Sequence, residues 1–171
     1  MNKLLLLSAL LISVLFNQAA FAQSNIAIID LNGAIRVSDY SKKQYKLLQA
    51  DENYKKLVSA ITQTREELQK LQKEGETKSL TWSDKQKQDH QEKGQKKYAE
   101  LNNLASQEAS VRSRLDASVQ QELASRVEAL VNEIIEEKEI GLLLKAQAVY
   151  FRTADFDITE ELVKRLNSSE Q

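Results

Sequence analysis

The sequence predicts an α+β protein: a long antiparallel α-helical coiled-coil hairpin arm on a small β-body whose sheet is shared between subunits. Three observations lead there. Between Lys42 and Ile140 there is no proline, and the only glycines are Gly75 and Gly94. That stretch is dense in Lys, Glu, Gln, Leu and Ala, which lose little on entering a helix. The β-branched and apolar runs on either side of it are short and few, and such strands are not stable alone.

Residues 1–22 read as a cleavable secretory signal. Lys3 supplies the positive start, Leu4 to Phe16 is apolar apart from Ser8 and Ser13, and Ala20-Phe21-Ala22 is a small-x-small cleavage pattern. Thirteen helical residues span only about 20 Å against roughly 30 Å of hydrocarbon, so the run is short for a membrane anchor. The expected mature chain starts at Gln23 and has 149 residues, with 23 Lys and Arg against 25 Asp and Glu. A net charge near −2 argues against nucleic acid as a partner. The chain has no cysteine. That excludes disulfides, thiol catalysis, Cys-ligated zinc and a lipid-modified N-terminal cysteine. Stability must therefore come from packing or from association.

Ile26 to Leu31 is a β-branched run that reads as a buried strand. Residues 32–40 read as a turn and a short helical entry punctuated by Gly33. The first long helix is expected from about Ser41 to Lys73. Leu47, Tyr54, Ile61 and Leu68 interleave with Ala50, Leu57, Thr64 and Leu71 at alternating three- and four-residue steps. That is a heptad seam, narrow enough to face one partner helix rather than a globular core.

A tip is expected over about residues 74–83. Gly75 can end a helix, Thr77, Ser79, Thr81 and Ser83 favour turns, and Ser83 with Gln86 forms a capping-box start. Thr81 is a competing N-cap. The second helix is expected from about Asp84 to Glu139, near 80 Å long. Leu104/Leu115, Val119/Leu130 and Leu123/Ile134 each lie eleven residues apart, a spacing for a nearly straight course. The first helix is shorter, so the excess of the second must run alongside the body.

Gly141 is expected to end that helix. Leu142–Leu144 and Ala148–Phe151 are strand candidates, and Asp157-Ile158-Thr159-Glu160 opens a final helix through Leu166. The domain reading is therefore a signal over 1–22, a β-rich oligomerisation body over 23–40 and 141–171, and a hairpin arm over 41–140. One chain offers too few strands for its own sheet, and a sheet or barrel shared between subunits buries the edges.

Catalytic signatures are missing. His90, the single histidine, sits in a polar window, Lys85 to Glu92, and reads as a solvated helix residue. There is no second His or Cys to complete a typical metal site. Phosphate-binding glycine loops and nucleophile elbows are absent, which argues against ATP use and against an enzyme. Candidate contact residues for a partner lie on the arm instead: Tyr54, Leu57, Ile61, Leu80 and Trp82. Tyr54, Leu57 and Ile61 are either contact residues or consumed in the seam, and Leu80 and Trp82 either meet an apolar partner or plug their own hairpin end. Around the tip, eight lysines face five acids, which suits weak contact with acidic segments or anionic lipid. Gly94 is either a bend point or a tolerated interruption.

The signal, the strand Ile26–Leu31, the helical hairpin, the run Gly141-Leu142-Leu143-Leu144, Asp157-Ile158-Thr159 and Val163-Lys164-Arg165-Leu166-Asn167 together resemble the Skp/OmpH family of periplasmic chaperones. The resemblance spans 25–167, and its specific part is the stretch from Gly141 to Asn167. It implies a homotrimer with a β-barrel shared by three chains and three arms around a cavity. It also implies an ATP-independent periplasmic holdase for unfolded outer-membrane β-barrel precursors, without a cofactor. This chain departs from the family's strongly basic character. The alternative reading is a structural coiled-coil adaptor or spacer of the envelope that grips one folded partner.

Overall fold

The computed structural model describes residues 25–168. The expected signal segment lies outside the described residues. The chain runs as strand β1 (Asn25–Ile29), helix α1 (Leu31–Val37), α2 (Asp39–Ala50), α3 (Glu52–Lys78), α4 (Asp84–Glu137), strand β2 (Ile140–Lys145) and α5 (Thr159–Ser168). α3 and α4 form the antiparallel arm, and the remaining elements gather at its base.

β1 ends earlier than the sequence suggests. Asp30 leaves the extended conformation, and its carboxylate accepts the Gly33 N–H at 3.0 Å. Leu31 therefore opens a helix instead of closing a strand. α1 and α2 meet at Ser38, whose hydroxyl donates to the Ile35 carbonyl at 2.7 Å and accepts the Ser41 N–H at 3.2 Å. The Ser41 hydroxyl also bonds to the Ile35 carbonyl. Ser38 and Ser41 are buried, and these bonds satisfy them there.

The expected continuous helix from Ser41 to Lys73 is in fact two helices. Asp51 is extended (φ −64°, ψ 129°) and its carboxylate caps α3 through the Tyr54 N–H at 2.8 Å. An aspartate with a free N3 N–H ahead of it competes well with the helical ladder. At the far end α3 passes through Gly75 and stops at Lys78. A single 3₁₀ turn, Ser79–Thr81, then leads to α4. Ser83 and Gln86 make the expected capping box: Gln86 N–H to Ser83 Oγ at 3.3 Å, Ser83 N–H to Gln86 Oε1 at 2.8 Å.

α4 has 54 residues, about 80 Å at 1.5 Å per residue. Its far part pairs with α3, where Ile61, Thr64, Leu68 and Leu71 are buried. Its near part lines the body. Val119, Leu123, Val127 and Ile134 join Ala27 and Ile29 of β1, Ala34 and Ile35 of α1, and Ile158, Leu162 and Leu166 in one cluster. One helix thus serves both arm and body. It ends at Glu137, before Gly141: Glu139 takes a positive φ of 50° and Gly141 lies inside β2.

β1 and β2 pair in parallel, with Ile26 opposite Leu142 and Ile29 opposite Lys145. The crossover between them is the entire arm. The far edge of β1 is covered in part, because Ile28 bridges Asp157 and its carbonyl accepts the Ile158 N–H at 2.9 Å. Among the described residues, the outer edge of β2 has no strand partner. The expected strand Ala148–Phe151 does not form. A 3₁₀ turn occupies Ala146–Ala148, Val149 is extended, and the chain bends at Tyr150 without pairing to a strand. α5 begins at Thr159, its first N–H held by Asp157 Oδ1 at 2.9 Å. Arg165 docks it on α4 through Glu137, at 2.9 and 2.5 Å.

Candidate functional site

Two kinds of surface stand out: the faces of the arm and the open side of the body. On the arm, the Tyr54 hydroxyl donates to Glu108 of α4 at 2.6 Å, and Tyr45 of α2 makes the same kind of bond to Asp116. Arg112 lies between these carboxylates, 3.6 Å from Glu108 and with its guanidinium 6.0 Å from the Tyr45 ring centroid. Hydrogen bonding to Asp116 and to Glu108, together with burial, raises the pKa of Tyr45 and of Tyr54 above the ordinary phenol value. These tyrosines therefore act as neutral donors that set the register of the limbs. Farther out, Lys97 reaches Glu67 at 2.7 Å and Glu100 at 2.8 Å.

The sequence-predicted contact residues separate into two sets. Ile61 is 7% exposed and belongs to the seam. Tyr54 and Leu57 are half-buried; Leu57 borders a shallow groove of about 380 Å³ with Asn103, Ser106, Gln107, Ser110, Val111 and Arg114. Leu80 is 98% exposed at the very end of the arm. Trp82 is half-buried, its ring 4.6 Å from that of His90. His90 is thus no freely solvated residue: its Nε2 lies 3.0 Å from the Leu71 carbonyl, and Gly75 leaves the room in which the imidazole sits. Trp82 and His90 plug the hairpin end, while Leu80 stands free of it.

Three further exposed apolar residues escaped the sequence reading as contact candidates: Leu47 on α2, and Val58 and Tyr98 on the hairpin limbs. The heptad pattern placed Leu47 in the seam, but the break at Asp51 takes it out of register. A long apolar residue just ahead of a capping aspartate was the available signal.

The base of the arm carries an apolar groove of about 380 Å³ between α1 and α4, bordered by Leu31, Ile35, Ala124, Val127 and Val131. On the body, Tyr150 and Phe151 are nearly fully exposed, and Ile26, Leu142 and Phe156 are each 47% exposed. Together with the open β2 edge they make an uncovered apolar side. No cluster of three or more His, Cys, Asp or Glu able to hold a metal occurs among the described residues. No helix there is long and apolar enough to cross a membrane.

The strand pair and the hairpin arm lie within the stretch of chain that a family model matches. The model for outer membrane proteins of the OmpH-like type aligns with residues 25–166. The chain belongs to the OmpH-like family. The match takes in both strands and the whole arm of this OmpH-like chain. A solved structure, a candidate outer membrane chaperone (OmpH-like) from Caulobacter crescentus CB15, is 15% identical, with 85% of each chain covered and a TM-score of 0.49. No curated protein matches the sequence.

Proposed function

We propose that this OmpH-like protein is a non-catalytic, ATP-independent holdase of the periplasm, exported by a cleavable signal over residues 1–22. Three copies share the β-body as a barrel, and their arms enclose unfolded outer-membrane β-barrel precursors. The observation that carries this reading is the surface of the arm. Along α2 and the hairpin stand isolated exposed apolar residues, Leu47, Val58, Leu80 and Tyr98, among polar and charged neighbours. Such contacts are individually weak and brief, and a chain that touches many of them at once is retained. By binding the unfolded state, the arms draw the client away from aggregation through mass action, without fuel. The client leaves when folding in the membrane is more favourable.

The arm tip adds a mild positive field. Among the lysines from Lys70 to Lys97, Lys78 and Lys97 are the ones in ion pairs within the described residues. Weak attraction to acidic client segments or to anionic lipid follows from the rest.

The test is the solution mass of the mature protein, alone and with an outer-membrane β-barrel precursor diluted from urea. A trimer that takes the precursor into one soluble complex is the expected result. A monomer or dimer that lets the precursor aggregate overturns the reading and favours an adaptor that grips one folded partner.

A further inference from the structure

Between α1 and α4 two hollows join end to end. The apolar groove of about 380 Å³ at the base of the arm meets a smaller recess of about 170 Å³. Asn32, Ile35 and Gln120 border both, so the two form one trough. On α4 its wall is Asp116, Gln120, Ala124, Val127 and Val131, which recur at three- and four-residue steps and share one helix face. At 1.5 Å per residue the trough runs about 22 Å from Asp116 to Val131. That is the length of about seven residues of extended chain.

The two ends differ in chemistry. The long part is floored by Leu31, Ile35, Val127 and Val131, with Ala124 exposed among them. The recess holds Arg36, Tyr45 and Asp116. Arg36 is exposed and makes no hydrogen bond or ion pair among the described residues. Tyr45 donates its hydroxyl to Asp116 Oδ1, which leaves Oδ2 without a donor among those residues. Asn32, Gln120 and Asn132 stand along the rim, and their side-chain amides also lack partners there. Each amide offers two donors and an acceptor.

A free guanidinium beside a carboxylate oxygen that still accepts is complementary to an anion with a donor next to it. The last residue of a polypeptide carries both, an α-carboxylate and its own N–H. A guanidinium holds a carboxylate through two parallel bonds. Upstream of that residue, peptide groups match the rim amides, and alternate side chains reach the apolar floor. A fatty acid or a lipid phosphate has the anion and the tail but no N–H for Asp116. Glu128, on the far rim, adds a second negative charge against a purely anionic ligand. We propose that this trough binds the C-terminal end of an extended apolar polypeptide, with Arg36 taking the carboxylate, Asp116 the last N–H and the α1–α4 floor the side chains. This deepens the holdase reading above and rests on it. A client tethered by its end raises its own local concentration among the arms, so the weak contacts there act on a chain already held.

Fluorescence anisotropy with the mature full chain tests this. The probe is an N-terminally fluorescein-labelled peptide, Ser-Val-Ser-Ala-Ser-Val-Leu, prepared as the free acid and as the C-terminal amide. The acid should bind the unaltered chain about tenfold more tightly than the amide, as a charge-assisted pair predicts. Arg36→Gln should erase that preference. Ala124→Glu, which sets a charge on the floor, should weaken both peptides about tenfold. Arg36 and Ala124 are both exposed, so neither change threatens the fold, and far-UV helicity checks it. Equal binding of acid and amide to the unaltered chain overturns the inference, and so does a preference that survives Arg36→Gln. Octanoate that binds as tightly as the free acid assigns the trough to fatty-acid-like ligands and overturns it too. Absence of peptide binding, together with a sedimentation mass that falls on Ala124→Glu, assigns the trough to a second copy and overturns it. In each of these cases an outer-membrane precursor kept soluble by the unaltered chain leaves the holdase reading standing. A precursor that aggregates beside the unaltered chain overturns the holdase reading, and the client role of the trough with it.

Discussion

His90 Nε2 lies 3.0 Å from the carbonyl oxygen of Leu71 and so ties α4 to α3 at the end of the arm. A carbonyl only accepts, so the bond places the proton on Nε2. Trp82 covers the ring, and Gly75 makes room for it. His90→Ala removes the bond and the ring contact together and should loosen the last turns by about 1–2 kcal/mol. Amide exchange from Gly75 to Lys78 should accelerate while the body signals hold. Unchanged exchange there would show that the seam at Leu68 and Leu71 suffices.

Two glycines in helices should respond in opposite senses to alanine. At Gly94 a Cβ meets nothing within 4 Å, so Gly94→Ala should stabilise the arm by about 0.5–1 kcal/mol. At Gly33 a Cβ would stand 2.5 Å from Asp30 Oδ2. Gly33→Ala must push away the carboxylate that caps α1 and holds Gln147, at a cost of about 1–2 kcal/mol. Denaturant midpoints of both variants decide the matter.

Leu162 is fully buried between α5 and the root of α4. Leu162→Ala should cost about 2–5 kcal/mol, the range for a core leucine whose cavity refills poorly. The loss should appear in the unfolding of the body. An arm that melts at the same point would show arm and body to be independent.

The Asp157 carboxyl is held below its ordinary value of 3.8: burial acts to raise it, but hydrogen bonds from Thr159 and Arg152 outweigh that. The folded protein thus binds this proton more weakly than the unfolded chain does. Its stabilising effect is complete above pH 3.8 and is lost as the pH falls through the lower folded value. Glu137 and Glu161, lowered by Arg165 and by Lys138 respectively, act in the same direction. Asp157→Asn should be less stable than the unaltered protein at neutral pH, with the gap closing below about pH 4. Urea unfolding from pH 7 to pH 3 measures it, and a gap independent of pH would exclude a role for the charge.

The quartet Leu47, Val58, Leu80 and Tyr98 should matter for retention of clients and little for stability. Replacing all four by serine should change the unfolding free energy by under about 2 kcal/mol, since exposed positions contribute little each. Suppression of precursor aggregation should drop severalfold, in keeping with the loss of multiple weak contacts. Light scattering after dilution from urea reads the effect.

The long helices were legible because their signals are local and redundant. Ser83 and Gln86 announce the start of α4 at a spacing that admits little else, and the Ile61-to-Leu71 seam needs only one partner. The break at Asp51 was hidden by a heptad series that runs through it unchanged in number, although the capping aspartate was there to be read. Gly75 misled for another reason. Its lack of a side chain serves the His90 imidazole, fifteen positions away on the other limb, and not a helix end. Ala148–Phe151 has strand character in sequence, but in the structure a 3₁₀ turn ends at Ala148 and the chain bends at Tyr150, so no ladder forms.

The parallel pairing of Ile29 with Lys145 has a consequence for how the protein is made. No hydrogen bond of that strand pair can form until the chain has travelled out along one limb and back along the other. The loop to be closed is over a hundred residues, and open closure of that length is slow. The hairpin removes the difficulty, since its limbs can zip from the turn at Ser79–Thr81 toward the base through neighbours that are always close at hand. Zipping delivers Ile35 and Val119 to the same place and leaves the two strands side by side. The arm is thus the body's own folding guide, and β2, which follows it in the chain, is the strand that completes the join.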